Sequence, residues 1–131
     1  MKTEKSIEEV LQEEFLRERV AVLAKAGETL AKTLHQLEHI EESIVKDTKV
    51  LRCLSVQDDN LNALSGAIVT QKQLILEKIN HSVDHFNKTR EKAKVQHYYL
   101  IVTREAMGLR KHHWVDELYS IPPKKKSVKE K

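Results

Sequence analysis

Seven residues limit what this chain can fold into: Leu16, Val20, Leu23, Gly27, Leu30, Leu34 and Leu37. Their spacing alternates four and three, which keeps one narrow apolar seam of an α-helix facing a neighbouring helix over successive heptads. The seam continues past Glu41 to Ile44. Ser6 is placed to cap its start, with Glu9 completing a capping-box pattern. The spacing predicts a helix from Ser6 to about Lys46, roughly 60 Å long at 1.5 Å per residue. Gly27 lowers helix propensity by about 1 kcal/mol relative to alanine. Beside Ala24, Ala26 and Ala31 it is read as a close helix crossing in an unbroken helix, the alternative being a break.

Residues 47–60 are read as the turnaround. Asp47-Thr48 would cap a short helical piece through Val50, Leu51 and Leu54, and Asp58 or Asp59 would cap the second long helix. From Leu61 the helical period resumes. Leu76, Ile79, Val83, Phe86, Ala93, Leu100 and Met107 form a second rail, with Arg90, His97 and Arg104 at its remaining places. Only Ala93 is apolar between Asn87 and Lys94, so this helix is exposed in its middle or broken near Asn87. One long helix is the preferred reading. Val95, Tyr98, Tyr99, Ile101, Val102 and Ala106 then widen the apolar face, which implies more than one neighbour. Gly108 is a stop signal. Lys111 to Tyr119 reads as a short helix that folds back over the wide face, and residues 122–131 read as a disordered basic tail.

The expected fold is all-α: a long antiparallel helical hairpin in one domain, residues 1–121, ending in a short helix. A two-helix hairpin cannot bury both faces of its rails, so two copies are expected to complete a four-helix bundle. The alternative is a monomeric four-helix bundle with breaks near Gly27 and Asn87. Composition agrees, since 33% of residues are charged and aromatics supply only 5%, a balance that suits packing of long helices. Residues 1–60 carry a net charge of −4 and residues 61–131 one of +7, which favours antiparallel pairing of the two arms.

From Arg104-Glu105-Ala106 through Gly108-Leu109, then His112 or His113, Tyr119 and Ile121-Pro122, the chain resembles a family of small, uncharacterised bacterial all-helical proteins. The opening, Leu11 to Ala31, is similar in character, whereas Asp47 to Gln73 has no counterpart. The resemblance implies a helical fold and carries no activity with it.

Two His-x-x-x-His pairs, His35 with His39 and His81 with His85, put imidazoles one turn apart on a helix face. That spacing suits a transition metal or bis-histidine haem, with Glu38, Glu42 and Asp84 as further acceptors. In a hairpin turning at 47–60, however, the pairs stand about 20 Å apart along the axis. Solvent-facing histidines are the default, and no cofactor is expected. His97, His112 and His113 form a looser group near Trp114 and Tyr119.

A basic row of Lys88, Arg90, Lys92, Lys94, Arg110 and Lys111, with Lys124, Lys125 and Lys126 in the tail, would meet phosphates if the protein bound nucleic acid. A solvated helix face explains the same residues. Nothing resembles a glycine-rich phosphate loop, a nucleophile elbow or His-Glu-x-x-His, so enzymatic activity is not expected. Cys53, the one cysteine, reads as a buried or half-buried small hydrophobe. One cysteine, an acidic start and no long apolar run together suggest a cytoplasmic protein without a membrane segment. The function expected is that of a non-enzymatic helical interaction or scaffold protein, acting as a homodimer and towards an unidentified protein partner.

Overall fold

A computed structural model describes residues 6–60 and 65–128. It contains α1 (Ile7–Asn60), α2 (Ser65–Ala106) and α3 (His113–Leu118). The two long helices pack side by side as an antiparallel hairpin. Ser6 Oγ accepts the Glu9 backbone N–H at 3.2 Å, so α1 starts at the cap its sequence predicts.

The first helix does not end near Lys46. It runs to Asn60, and residues 47–60 are its last turns rather than the turnaround. The physical reason is local. Thr48 Oγ1 donates to the Ile44 carbonyl at 2.7 Å and Ser55 Oγ to the Leu51 carbonyl at 3.0 Å. These hydroxyls bond backwards inside the helix instead of capping a new one. Asp47, read as a cap, instead faces α2 and pairs with Lys78 at 3.5 Å. The turn between the helices, including the expected start at Leu61, lies outside the described residues.

Both helices pass unbroken through Gly27 and Asn87, so the alternative of four short helices in one chain is not what forms. Leu30, Leu37, Ile79, Val83, Phe86, Ala93 and Leu100 are buried, as the two rails predict. The seam is not buried throughout. Leu16 and Val20 are exposed, and the helix turns inward only from Leu23 and Ala26.

At Gly27 the close approach comes from the C-terminal segment, not from α2. A Cβ built there would lie 3.0 Å from the Tyr119 hydroxyl and 3.8 Å from the ring carbon bearing it. Gly27→Ala therefore sets a gain in helix propensity of about 1 kcal/mol against displacement of Tyr119. In a Tyr119→Phe background the clashing oxygen is gone. There Gly27→Ala is expected to stabilise by about 0.5–1 kcal/mol, while in the unaltered chain it gives no gain. Urea denaturation of the four proteins checks this double-mutant cycle.

α2 ends in a Schellman motif. Gly108 has φ +86°, its N–H donates to the Glu105 carbonyl at 2.9 Å, and the Leu109 N–H to the Arg104 carbonyl at 3.0 Å. The chain then returns through α3, shorter than its predicted span. α3 does not cover the wide face. Val95, Tyr98, Tyr99 and Val102 remain exposed, Tyr98 at 70%, as do Trp114 and Leu118. Val115 alone enters the core, joined by half-buried Tyr119.

Candidate functional site

The polar places on the second rail are its most informative part. A heptad rail that holds Arg90, His97 and Arg104 in its seam is a poor partner for an apolar helix. In this fold those side chains face the returning C-terminal segment. Arg104, buried, donates from Nη2 to the Lys111 carbonyl at 2.9 Å and from Nε to His112 Nδ1 at 3.3 Å. Its guanidinium lies 4.6 Å from the centre of the Trp114 ring. With Nδ1 accepting, His112 carries its proton on Nε2, 3.2 Å from Glu105 Oε1. His97 Nε2 stands 3.0 Å from Asp116 Oδ1.

Further along α2 the same face holds an extended strap. Arg90 Nε donates to the Pro122 carbonyl at 2.7 Å. The Asn87 amide donates to the Lys125 carbonyl and accepts the Lys125 N–H, both at 2.9 Å. Asn80 makes the same pair with Val128, at 3.0 and 2.8 Å. Residues 122–128, expected as a disordered tail, thus run along α2 towards its N-terminus. Composition pointed to disorder because the segment has little apolar surface to bury. The strap is held instead through its own backbone groups, which a residue-by-residue reading of side chains does not register. The rest of the expected tail, residues 129–131, lies outside the described residues.

The four paired histidines are placed differently. With Lys78 opposite Asp47, His39 stands within about one turn of the level of His85, so the expected 20 Å offset does not exist. The correction comes from the longer α1. Nonetheless His35, His39, His81 and His85 are all exposed. His35 and His39 meet edge to face at 4.8 Å, and His35 Nδ1 lies 3.6 Å from Glu38. Among the described residues no group of three or more His, Cys, Asp or Glu side chains is arranged to hold a metal ion.

The basic row is partly consumed within the chain. Arg90 and Lys94 pair with Glu91 at 3.1 and 3.8 Å, and Lys125 pairs with Glu41 at 3.1 Å. Lys88, Lys92, Arg110, Lys111, Lys124 and Lys126 are exposed. Cys53 is exposed rather than buried, because it lies on the far side of α1 from the half-buried face of Leu51, Leu54 and Ser55. Among the described residues no helix is long and apolar enough to cross a membrane.

A second feature is apolar. The first turns of α1 carry two uncovered rows. Leu16 and Val20 continue the buried seam, and Ile7, Leu11, Phe15 and Val22 lie almost on the opposite side of the helix, about 160° round from them. Phe15 and Val22 stand beside Thr103, Ala106 and Met107 at the end of α2, so the turns before Phe15 project beyond that end.

No family model matches the chain, and neither does any curated protein or solved structure.

Proposed function

We propose that this protein is a non-enzymatic helical scaffold that self-associates, a second copy packing on the projecting first section of α1. The observation that carries this reading is the exposure of Ile7, Leu11 and Phe15, one turn apart on a single face, with Ile7 81% exposed. A projecting helix gains little stability from propensity alone, most helical stability coming from a packed face. An uncovered apolar stripe of this length is a surface that association removes from water.

Charge order selects the partner and its direction. Glu8, Glu9, Glu13 and Glu14 precede Arg17 and Arg19. Two such segments side by side in parallel would stack five carboxylates, Glu18 included, on five and the two arginines on two. Running antiparallel about a point near Glu13, they place Glu9 of one copy level with Arg17 of the other, and Glu8 level with Glu18 beside Arg19. The same register sets Leu11 across from Phe15. Like-charge avoidance thus favours a twofold antiparallel arrangement.

The test is the mass in solution. Light scattering at tens of micromolar is expected to give twice the chain mass of 15.2 kDa, and Leu11→Glu with Phe15→Glu is expected to give the monomer. Because both positions are exposed, the double variant should retain its hairpin, read as unchanged cooperative unfolding. A monomer mass for the unaltered chain overturns the proposal.

A further inference from the structure

We propose that Asn80, Asn87 and Arg90 of α2, with Glu41 and Phe86, form a binding site for an extended, lysine-bearing peptide, whose resident occupant is the chain's own strap. Each asparagine amide presents one donor and one acceptor to one residue of the strap, accepting its N–H and donating to its carbonyl at 2.8–3.0 Å. That reciprocal pair is what a hydrogen-bonded residue in an antiparallel β-ladder offers. The side chains of a helix here act as a strand edge, and main-chain recognition of this kind accepts any extended segment.

The periods match. Asn80 and Asn87 are seven residues apart, about 10.5 Å along a helix. Their partners Val128 and Lys125 are three apart, about 9–10 Å in an extended chain. A row with that spacing can follow an extended peptide over several residues without strain, and Gln73 continues it by one more heptad.

Side-chain selection comes from one position. Lys125 Nζ lies 3.1 Å from Glu41 Oε1 on α1 and 4.9 Å from the centre of the Phe86 ring. A carboxylate and an aromatic face together select a cation, three residues after the carbonyl that Arg90 holds. The occupant does not fill the groove. Beside Ser120 and Pro122 a cavity of about 650 Å³ stays open, lined by Leu34, Leu37, Glu38 and Leu118 among others. The strap itself contributes little buried apolar surface, so another segment with the same backbone and a lysine in register can replace it.

The experiment uses the full chain with Lys125→Pro, which removes both the N–H that Asn87 accepts and the cation. The probe is a labelled synthetic peptide with the sequence of residues 120–131, followed by fluorescence anisotropy. It is expected to bind the Lys125→Pro chain saturably. It should bind the unaltered chain at least tenfold more weakly, because a tethered occupant competes at an effective concentration on the order of millimolar. Adding Asn87→Ala to Lys125→Pro, or using a probe carrying Lys125→Glu, should each cost tenfold or more. Absence of saturable binding, or equal binding of a scrambled peptide, overturns the proposal. So does loss of helical circular dichroism in the Lys125→Pro chain, since the strap would then be a tie the hairpin needs. The proposal does not rest on self-association, so the mass measurement and this titration fail independently.

Discussion

Phe86→Ala is expected to lower the free energy of unfolding by about 3–5 kcal/mol, the range for truncating a large buried aromatic. Phe86 is fully buried, and it belongs to the same cluster as Leu30, Leu37, Ala93 and Leu100. It is the largest side chain in that state, in a core otherwise built from aliphatic and alanine residues, which have no comparable group to move into the space. The ring has a second duty. Its face carries Lys125, so the variant loosens the strap as well as the α1–α2 contact. Phe86→Leu separates the two effects. It keeps most of the volume and is expected to cost less than about 1.5 kcal/mol, yet it removes the aromatic face and should weaken the hold on Lys125. Urea denaturation at one fixed protein concentration checks the stabilities, since association would make midpoints concentration-dependent. Leu74→Ala is the contrast. Leu74 is 62% exposed on α2, and its loss should stay within about 0.5 kcal/mol. A Phe86→Ala cost no larger than that of Leu74→Ala would mean the core is not centred where the two rails meet.

The rails were readable because their information is one-dimensional. A step of four and three needs no knowledge of what lies opposite, and Leu30, Leu37, Ile79, Val83, Ala93 and Leu100 are buried as that step requires. Gly108 was readable for a similar reason, a glycine placed where a helix stops and φ turns positive. The hairpin's register was not. Thr48 and Ser55 fit a cap and a helix interior about equally well, and the choice is made by hydroxyl bonds to Ile44 and Leu51 that composition does not reveal. That one shift in the turn moved the level of His81 and His85 relative to His35 and His39.

The polar places were seen and their purpose was not. Arg90, His97 and Arg104 interrupt the second rail in plain view, but their partners lie in Pro122, Asp116 and Lys111. Nothing in the local pattern joins those stretches. A repeat of asparagines at heptad spacing beside a proline-flanked basic segment is a signal that would have found the strap. It is weak because each asparagine alone is an ordinary exposed helix residue. The wide face at Tyr98 and Tyr99 was assigned to α3 by the reasonable rule that a neighbour covers it. With only Val115 of α3 and the following Tyr119 turned inward, that face stays exposed.

Arg104→Ala is expected to detach α3 without unfolding the hairpin. Six residues cannot form a stable helix alone, and Val115 by itself offers one small apolar anchor. What fixes the segment is Arg104, which reaches the Lys111 carbonyl and His112 and stacks on Trp114. A hydrogen bond from a charged donor contributes about 1.5–3 kcal/mol and a cation–π contact about 0.5–2 kcal/mol. Truncation also removes the cost of burying the charge, so the net loss is set at about 2–3 kcal/mol. Arg104→Lys should recover little of it, because an ammonium cannot span the carbonyl, the imidazole and the indole face together. The measurement is amide hydrogen exchange. The Val115 and Tyr119 N–H groups donate within α3 to His112 and Val115, and they should exchange about 30- to 160-fold faster in the variant, the same energy expressed as a ratio. Amides near Leu37 and Phe86 should be unchanged. If all of them accelerate together, Arg104 holds the whole bundle. If none does, α3 is seated by Val115, Tyr119 and the His97–Asp116 contact, and Arg104 does not hold it.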